Sequence, residues 1–327
     1  MSDLVVMRPS GLYCPAGDFY IDPAKPVARA VITHAHGDHA RTGSMQYWSS
    51  REGEALLRAR IGAKTWINAL DWGQPVQIGA ARVSLHPAGH VLGSAQVRIE
   101  AEGQVWVISG DYKRDDDPTC TAFEPVPCDV FVTEATFGLP EYRWPLASET
   151  AREIHEWWQG NAAEGQASVM FCYALGKAQR ILAELTRYTD GKAWVHGSMA
   201  PLVEIYRKAG VKMLPTESAV APPRDTDFKG QLILAPPGAR GTPWMKRFRP
   251  YRCGFASGWM SRDARRESFD RGFVLSDHAD WEGLLLSIGQ SGAKRVLAMH
   301  GHTETLVSHL RAQGVDAAAL PGAEPGY

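Results

Sequence analysis

The stretch "THAHGDH", residues 33–39, places three histidines and an aspartate within seven positions. The run before it, "ARAVIT", is apolar and β-branched, and predicts a buried strand. The histidines therefore begin where a strand stops, at the rim of a sheet. Neutral imidazole is a good ligand for zinc-like ions, and Asp38 adds a hard anionic oxygen. The same arrangement recurs along the chain. His90 lies in "PAGHVLGSAQV", a turn flanked by glycines; Asp111 follows the strand "VWVIS"; His300 ends the strand "RVLAM". His34, His36, Asp38, His39, His90, Asp111 and His300 make seven ligand-type residues. A structural zinc closes with four ligands, so this count predicts two metal sites that share one carboxylate.

Composition limits what surrounds that rim. A chain of 327 residues can bury one large core or two medium ones. With 44% hydrophobic and 22% charged residues it reads as a globular protein. No apolar run approaches bilayer length, and "MSDLVVMRPS" lacks a basic start followed by an apolar stretch, so neither a membrane span nor secretion is expected. Five scattered cysteines without a CxxC pair predict a reduced, cytoplasmic setting with the thiols mostly buried. At a net charge of −1, nucleic-acid binding would need a local positive surface. Residues 240–266 offer one: eight Arg or Lys against one Asp, with Trp244, Phe248, Tyr251 and Trp259 interleaved. Cations there would meet phosphates and rings would stack bases, the alternative being an ordinary solvated surface.

Short β-rich runs alternate with turn signals through the first third, interrupted by one helix, "SREGEALLRARIG", with Gly62 as its stop. From about residue 147 the pattern changes to helices and buried strands, beginning with "SETAREIHEWWQGN" and a Ser148 cap. After "GFASGWM" strand-and-turn fragments return. We read three segments: 1–146 as the first part of one domain, 147–253 as an inserted αβ domain, and 254–327 as the return.

The series "HAHGDH", "GH", "GD" and "MHG" resembles the HxHxDH…H…D…H signature of metallo-β-lactamase proteins, in order and over nearly the whole chain. The resemblance implies an αββα sandwich in which His34, His36 and His90 hold one metal. Asp38, His39 and His300 would hold a second, with Asp111 bridging and Asp22 of "YIDP" orienting the histidines from behind. Asp18 is the weaker candidate for that orienting role. The 189 positions between Asp111 and His300 leave room for an inserted domain, as in the β-CASP nucleases. There "TEATFG" resembles the family's acidic motif and "SDHADW" its later histidine motif. The resemblance makes Glu134 and His278 a pair that protonates the leaving oxygen, with Asp38 completing the catalytic set. "YALGKAQRI" and "SGWM" resemble cleft-lining segments, which makes Lys177 and Ser257 candidates for gripping substrate phosphate.

Several of these segments read like the bacterial ligase-associated DNA exonucleases. That branch implies a DNA exonuclease running 5′ to 3′ in DNA repair, with two divalent ions (zinc and/or manganese) and a functional link to a DNA ligase and a helicase. The last motif carries His300, as RNA-processing members do, where DNA-crosslink repair relatives generally have valine. An RNA-processing ribonuclease therefore stands as the alternative. A small-ester metallohydrolase and an inactive metal-bearing subunit fit less well.

Overall fold

The computed structural model describes residues 3–223, 225–261 and 268–320. The chain divides into two units: Met1–Arg114, Cys120–Arg143 and His278–Tyr327 form the first, and Asp115–Thr119 with Trp144–Asp277 the second.

Among the described residues the first unit contains two sheets. One runs in sequence order through β1 (Val6–Arg8), β2 (Gly11–Cys14), β3 (Phe19–Ile21), β4 (Arg29–Val31), β5 (Gln46–Ser50) and β6 (Ile67–Leu70). Its first three strands are antiparallel, and from β3 to β6 the pairing is parallel. The parallel crossover from β5 to β6 carries helix α1 (Glu54–Ile61), which Gly62 ends at φ 115°. Leu57 and Ile61 of α1 pack on Ala30, Ile32 and Tyr47, covering one face of the sheet.

The second sheet begins with β7 (Val76–Ile78), β8 (Ala81–Pro87), β9 (Ala95–Ala101), β10 (Gln104–Ile108) and β11 (Val130–Glu134). All five residues of β11 are buried, the polar Thr133 and Glu134 included, between two parallel neighbours. A single apolar cluster joins the two sheets. It contains Phe19, Ile21 and Val31 from the first, with Val83, Leu85, Val97, Trp106 and Val132 from the second.

The second unit opens with α2 (Ala147–Ala163), then β12 (Ala167–Phe171), α3 (Lys177–Glu184), β13 (Ala193–Val195), α4 (Ala200–Lys208), β14 (Thr216–Ser218) and β15 (Leu232–Ala235). It closes with β16 (Tyr251–Ala256) and β17 (Arg271–Phe273). These strands form one parallel sheet in the order β14-β13-β15-β12-β16-β17. The chain then returns to the first unit through α5 (Trp281–Ser291), β18 (Arg295–Met299), α6 (Thr303–Ala312) and β19 (Asp316–Ala319). The full order of the second sheet is β19-β18-β11-β10-β9-β8-β7. Trp281, Ile288, Leu306 and Leu310 of the two late helices cover its outer face at Phe131, Val296 and Ala298.

Four details differ from the sequence reading. The return falls at His278, not at residue 254, because β16 runs through that position and pairs with β12, and β17 adds beside it. Helix α2 starts at Ala147, so Ser148 lies inside the first turn and the cap position is Leu146, which makes no capping bond. Two of the five cysteines, Cys14 and Cys172, are buried, whereas Cys120, Cys128 and Cys253 are half-buried.

The fourth concerns the basic segment 240–266, of which residues 262–266 lie outside the described residues. Phe248 is in the apolar core of the second unit, and Trp244 packs against it. The Trp244 indole and the Arg247 guanidinium both donate to the Ala219 carbonyl, and Arg240 lies over the Phe269 ring. Trp244 and Phe248 thus serve the core rather than presenting open faces to bases.

Candidate metal centre

Each candidate ligand is delivered by the end of a strand in the first unit. His34 follows β4, His90 follows β8, Asp111 follows β10, and His300 follows β18. Two of these turns require glycine. Gly110 has φ 56°, and a Cβ there would sit 2.7 Å from the Cβ of Thr33. Gly301 has φ 65° and would place a Cβ 2.3 Å from the Ala135 carbonyl oxygen. Backbone crowding of this order brings Thr33 and Asp111 together from separate sheets, and His300 close to the end of the neighbouring strand β11. Asp22 and His300 themselves adopt left-handed backbone conformations, φ 45° and 60°, which cost non-glycine residues energy and gather at functional sites.

The donor atoms converge. His36 Nδ1 lies 3.0 Å from His34 Nε2 and 3.1 Å from His90 Nε2. Asp111 Oδ2 lies 3.5 Å from His34 Nε2 and 3.7 Å from His90 Nε2. A tetrahedral ion with ligand bonds near 2.0–2.1 Å has ligand–ligand edges of about 3.3–3.4 Å. The four separations bracket that value, so this set fits a zinc-like ion. His34 and His90 are buried, at 4% and 1% exposure.

Asp111 is shared. Its Oδ2 is also 3.4 Å from His39 Nε2, which in turn is 3.7 Å from Asp38 Oδ2. The His300 ring stands 6.2 Å from the His39 ring, centroid to centroid. Asp38, His39, His300 and Asp111 thus face one another more loosely than the first group. Asp38 is the exposed member.

Hydrogen bonds behind the rings set which nitrogen faces forward. His39 Nδ1 is 2.8 Å from Asp22 Oδ2 and donates there, which leaves Nε2 facing Asp111. Thr33 donates its hydroxyl to Asp22 Oδ2 (2.5 Å) and its backbone N–H to Asp22 Oδ1 (2.8 Å). With its own proton committed, Thr33 Oγ1 accepts from His34 Nδ1 at 3.0 Å, which turns His34 Nε2 forward. Asp22 therefore orients two histidines, one directly and one through Thr33, a residue to which the sequence alone assigns no role. Asp18 instead accepts from the Tyr13 hydroxyl at 2.8 Å, on the surface.

Electrostatics follow from the crowding. Burial, with the rings of His39 and His90, pushes His34 well below the usual histidine range. Burial also lowers His39, but Asp111 and Asp22 outweigh it and hold the ring well above that range. Burial would raise Asp111, and His39 reverses this, keeping the carboxyl well below its ordinary value. A second group forms beside Asp111: with Glu134 and His278 it brings three donor atoms within 4.8 Å of one another. Glu134, the last residue of β11, is buried; its Oε1 accepts from the Tyr112 N–H at 2.7 Å. Its Oε2 accepts from His278 Nδ1 at 2.9 Å, and the His278 ring packs 4.7 Å from that of His90.

Lys177 and Ser257 belong to the second unit. Lys177 is 3% exposed, with its ammonium 2.8 Å from Asp277 Oδ2, and Ser257 is 2% exposed, with its hydroxyl accepting from the Trp259 N–H. The Lys177 ammonium is thus held by a carboxylate of its own unit.

No protein-family model matches the chain. A probable DNA ligase of Opitutus terrae is 31% identical over 321 residues, covering 95% of this chain and 30% of that protein. Endoribonuclease YSH1 of Candida glabrata is 29% identical over 175 residues, 52% of this chain and 22% of its own length. Its counterpart in Gibberella zeae is 34% identical over 173 residues, 52% and 20%. The chain thus spans less than a third of the curated relatives it matches. A crystal structure of a protein of unknown function from Enterococcus faecalis V583 shares the fold, with a TM-score of 0.62 at 13% identity over 91% of this chain and 80% of that one.

Proposed function

We propose that the chain is a metal-dependent phosphodiesterase of the metallo-β-lactamase class with an inserted β-CASP domain, acting as a nuclease on DNA. The observation that carries this reading is the convergence of His34, His36, His90 and Asp111 at tetrahedral spacing, with His39 Nε2 3.4 Å from the same Asp111 oxygen. In it, His34, His36, His90 and Asp111 would hold one divalent ion. Asp38, His39 and His300 would hold a second, sharing Asp111. Zinc and manganese both suit imidazole and carboxylate donors. Such ions supply Lewis acidity toward a phosphoryl oxygen and a nucleophile at neutral pH.

The remaining work falls to the protein. Asp22 and Thr33 keep the ligand nitrogens of His39 and His34 facing the centre. Glu134, itself held by the Tyr112 N–H, accepts a hydrogen bond from His278 Nδ1–H, which stabilises the protonated ring and leaves Nε2–H to protonate the leaving 3′ oxygen. The products are then a free 3′ hydroxyl upstream and a 5′-phosphate downstream. Similarity over 95% of this chain to a relative named a DNA ligase supports DNA as substrate and a role in repair alongside strand joining. The relatives named endoribonuclease support RNA as the second reading. Cysteines outside any disulfide suit a cytoplasmic setting.

The test uses end-labelled DNA and RNA strands, each with and without a 5′-phosphate, incubated with the chain and manganese or zinc. Stepwise shortening of DNA from the 5′ end is expected. Cleavage of RNA alone would select the second reading, and cleavage of neither would overturn both.

A further inference from the structure

The segment around "LGKAQR" is turned inward. All eight residues of α3 are buried, Lys177, Arg180 and Glu184 among them. Arg180 is 1% exposed; its Nη1 donates to the Ser276 carbonyl at 2.6 Å and lies 3.9 Å from Asp277 Oδ1. Its Nη2 donates to the Asp116 carbonyl at 3.4 Å, and its Nε is 3.5 Å from Asp117 Oδ2. Asp117 is fixed in turn by the Thr119 N–H and hydroxyl, at 2.8 and 2.6 Å. Lys177 holds the other oxygen of Asp277 at 2.8 Å. One short helix thus grips two short segments of the second unit, 115–117 and 276–277.

Both segments are places where the chain changes unit. Asp115 follows Arg114, four positions after Asp111, and Asp277 immediately precedes His278. Stability alone is a weak reason for such an assembly, because desolvation of buried charges offsets most of their attraction and an apolar replacement would serve as well. Buried charges with fixed hydrogen-bond directions do supply a single backbone register, which an apolar contact does not.

We propose that Arg180, Lys177 and Asp277 are positioning residues for His278: by fixing the Ser276 carbonyl and the Asp277 carboxylate they set the backbone from which the His278 ring is aimed. The inference rests on His278 as the proton donor to the leaving oxygen. Small displacements of such a group are costly, since a misplacement of about 1 Å can lower a rate by about a hundredfold.

Arg180→Lys and Asp277→Asn, made in the full chain, test it, with His278→Ala as reference and circular dichroism melts as the check on folding. Each is assayed with manganese on the nucleic acid that the wild-type chain cleaves and on bis(p-nitrophenyl) phosphate, whose leaving group needs no proton. The expected result is a kcat on nucleic acid lowered about tenfold or more, with KM little changed and the nitrophenyl ester rate held within about twofold. His278→Ala should lower the rate on nucleic acid more strongly still. Equal losses on both substrates, or no loss on nucleic acid, would overturn the positioning role. If Asp277→Asn does not fold, Arg180→Lys, which keeps the charge, decides the question. A wild-type chain inactive on nucleic acid would instead overturn the nuclease reading itself.

Discussion

At the scale of single residues, the candidate centre is a matter of which nitrogen faces which way. Asp22 secures His39 directly and His34 through Thr33, so the two histidines depend on it by different routes. Thr33→Val removes only the second route. Metal affinity should fall about 10-fold, within the range for outer hydrogen-bond partners, while Asp22→Asn should fall further because both routes are lost. Titration of the metal-free variants with zinc, followed by competition with a chelating dye, measures this. Asp38→Ala or His39→Ala should abolish cleavage of labelled strands, and full activity in either variant would remove the second ion from the account. The thiols give a pH-dependent prediction. Burial and the Asp270 carboxylate push Cys253 up to about 11, so at pH 8 only about one thiol in a thousand is thiolate. Its alkylation by iodoacetamide, read by mass spectrometry, should be slow at pH 8 and rise about tenfold per pH unit until about pH 11. The histidines and aspartates were legible as ligands because residue type and strand-end position are written in the chain. Thr33 was not, because a threonine beside a histidine has no distinguishing spacing until its hydroxyl is seen between Asp22 and His34.

At the scale of elements, strand ends and helix starts decide where these side chains point. Gly110 and Gly301 illustrate the constraint: each has a positive φ, and each would drive a Cβ into a neighbouring segment. Gly110→Ala should cost about 2 kcal/mol or more from backbone and contact strain together, seen as a lowered melting temperature, and weaken metal binding by displacing Asp111. Helix α2 offers the opposite case. Its cap position holds Leu146, 67% exposed and without a capping bond. Leu146→Asp should stabilise the chain by about 1 kcal/mol, measured by denaturant unfolding. The sequence reading put a cap at Ser148, because serine before an apolar-periodic run is the usual start signal. The helix starts two positions earlier, with the Glu149 and Thr150 N–H groups bonded to the Leu146 carbonyl. Helix α3 shows the same limit from the other side. A lysine after a glycine at a strand-to-helix turn reads as a phosphate site, and only the packing of α3 reveals Asp277 as its partner.

At the scale of the whole molecule, the ligands come from four separated stretches of the first unit, spread over two sheets. An ion bound there would cross-link elements of the two sheets, which also meet through the apolar cluster and through bonds such as that from the Ala95 N–H to the Thr33 carbonyl. Because the unfolded chain cannot assemble the same donors, metal at a hundred times its dissociation constant should add about 2.7 kcal/mol to stability. Calorimetry should show the melting temperature falling on treatment with a chelator and recovering when zinc or manganese is restored. The chain alone determined that His34, His36, Asp38 and His39 share one turn at a strand end, that His90, Asp111 and His300 stand at others, and that a separate αβ segment lies between Asp111 and His300. Strand ends carry their own signal, in β-branched runs closed by glycine and polar residues. Which side chains face one another was decided only by tertiary structure, since hydrogen-bond partners such as Thr33 with His34, Glu134 with His278 and Arg180 with Ser276 depend on separations in space. The same holds for the return at His278, where strand pairing through β16 and β17, not composition, carries the second unit beyond residue 254.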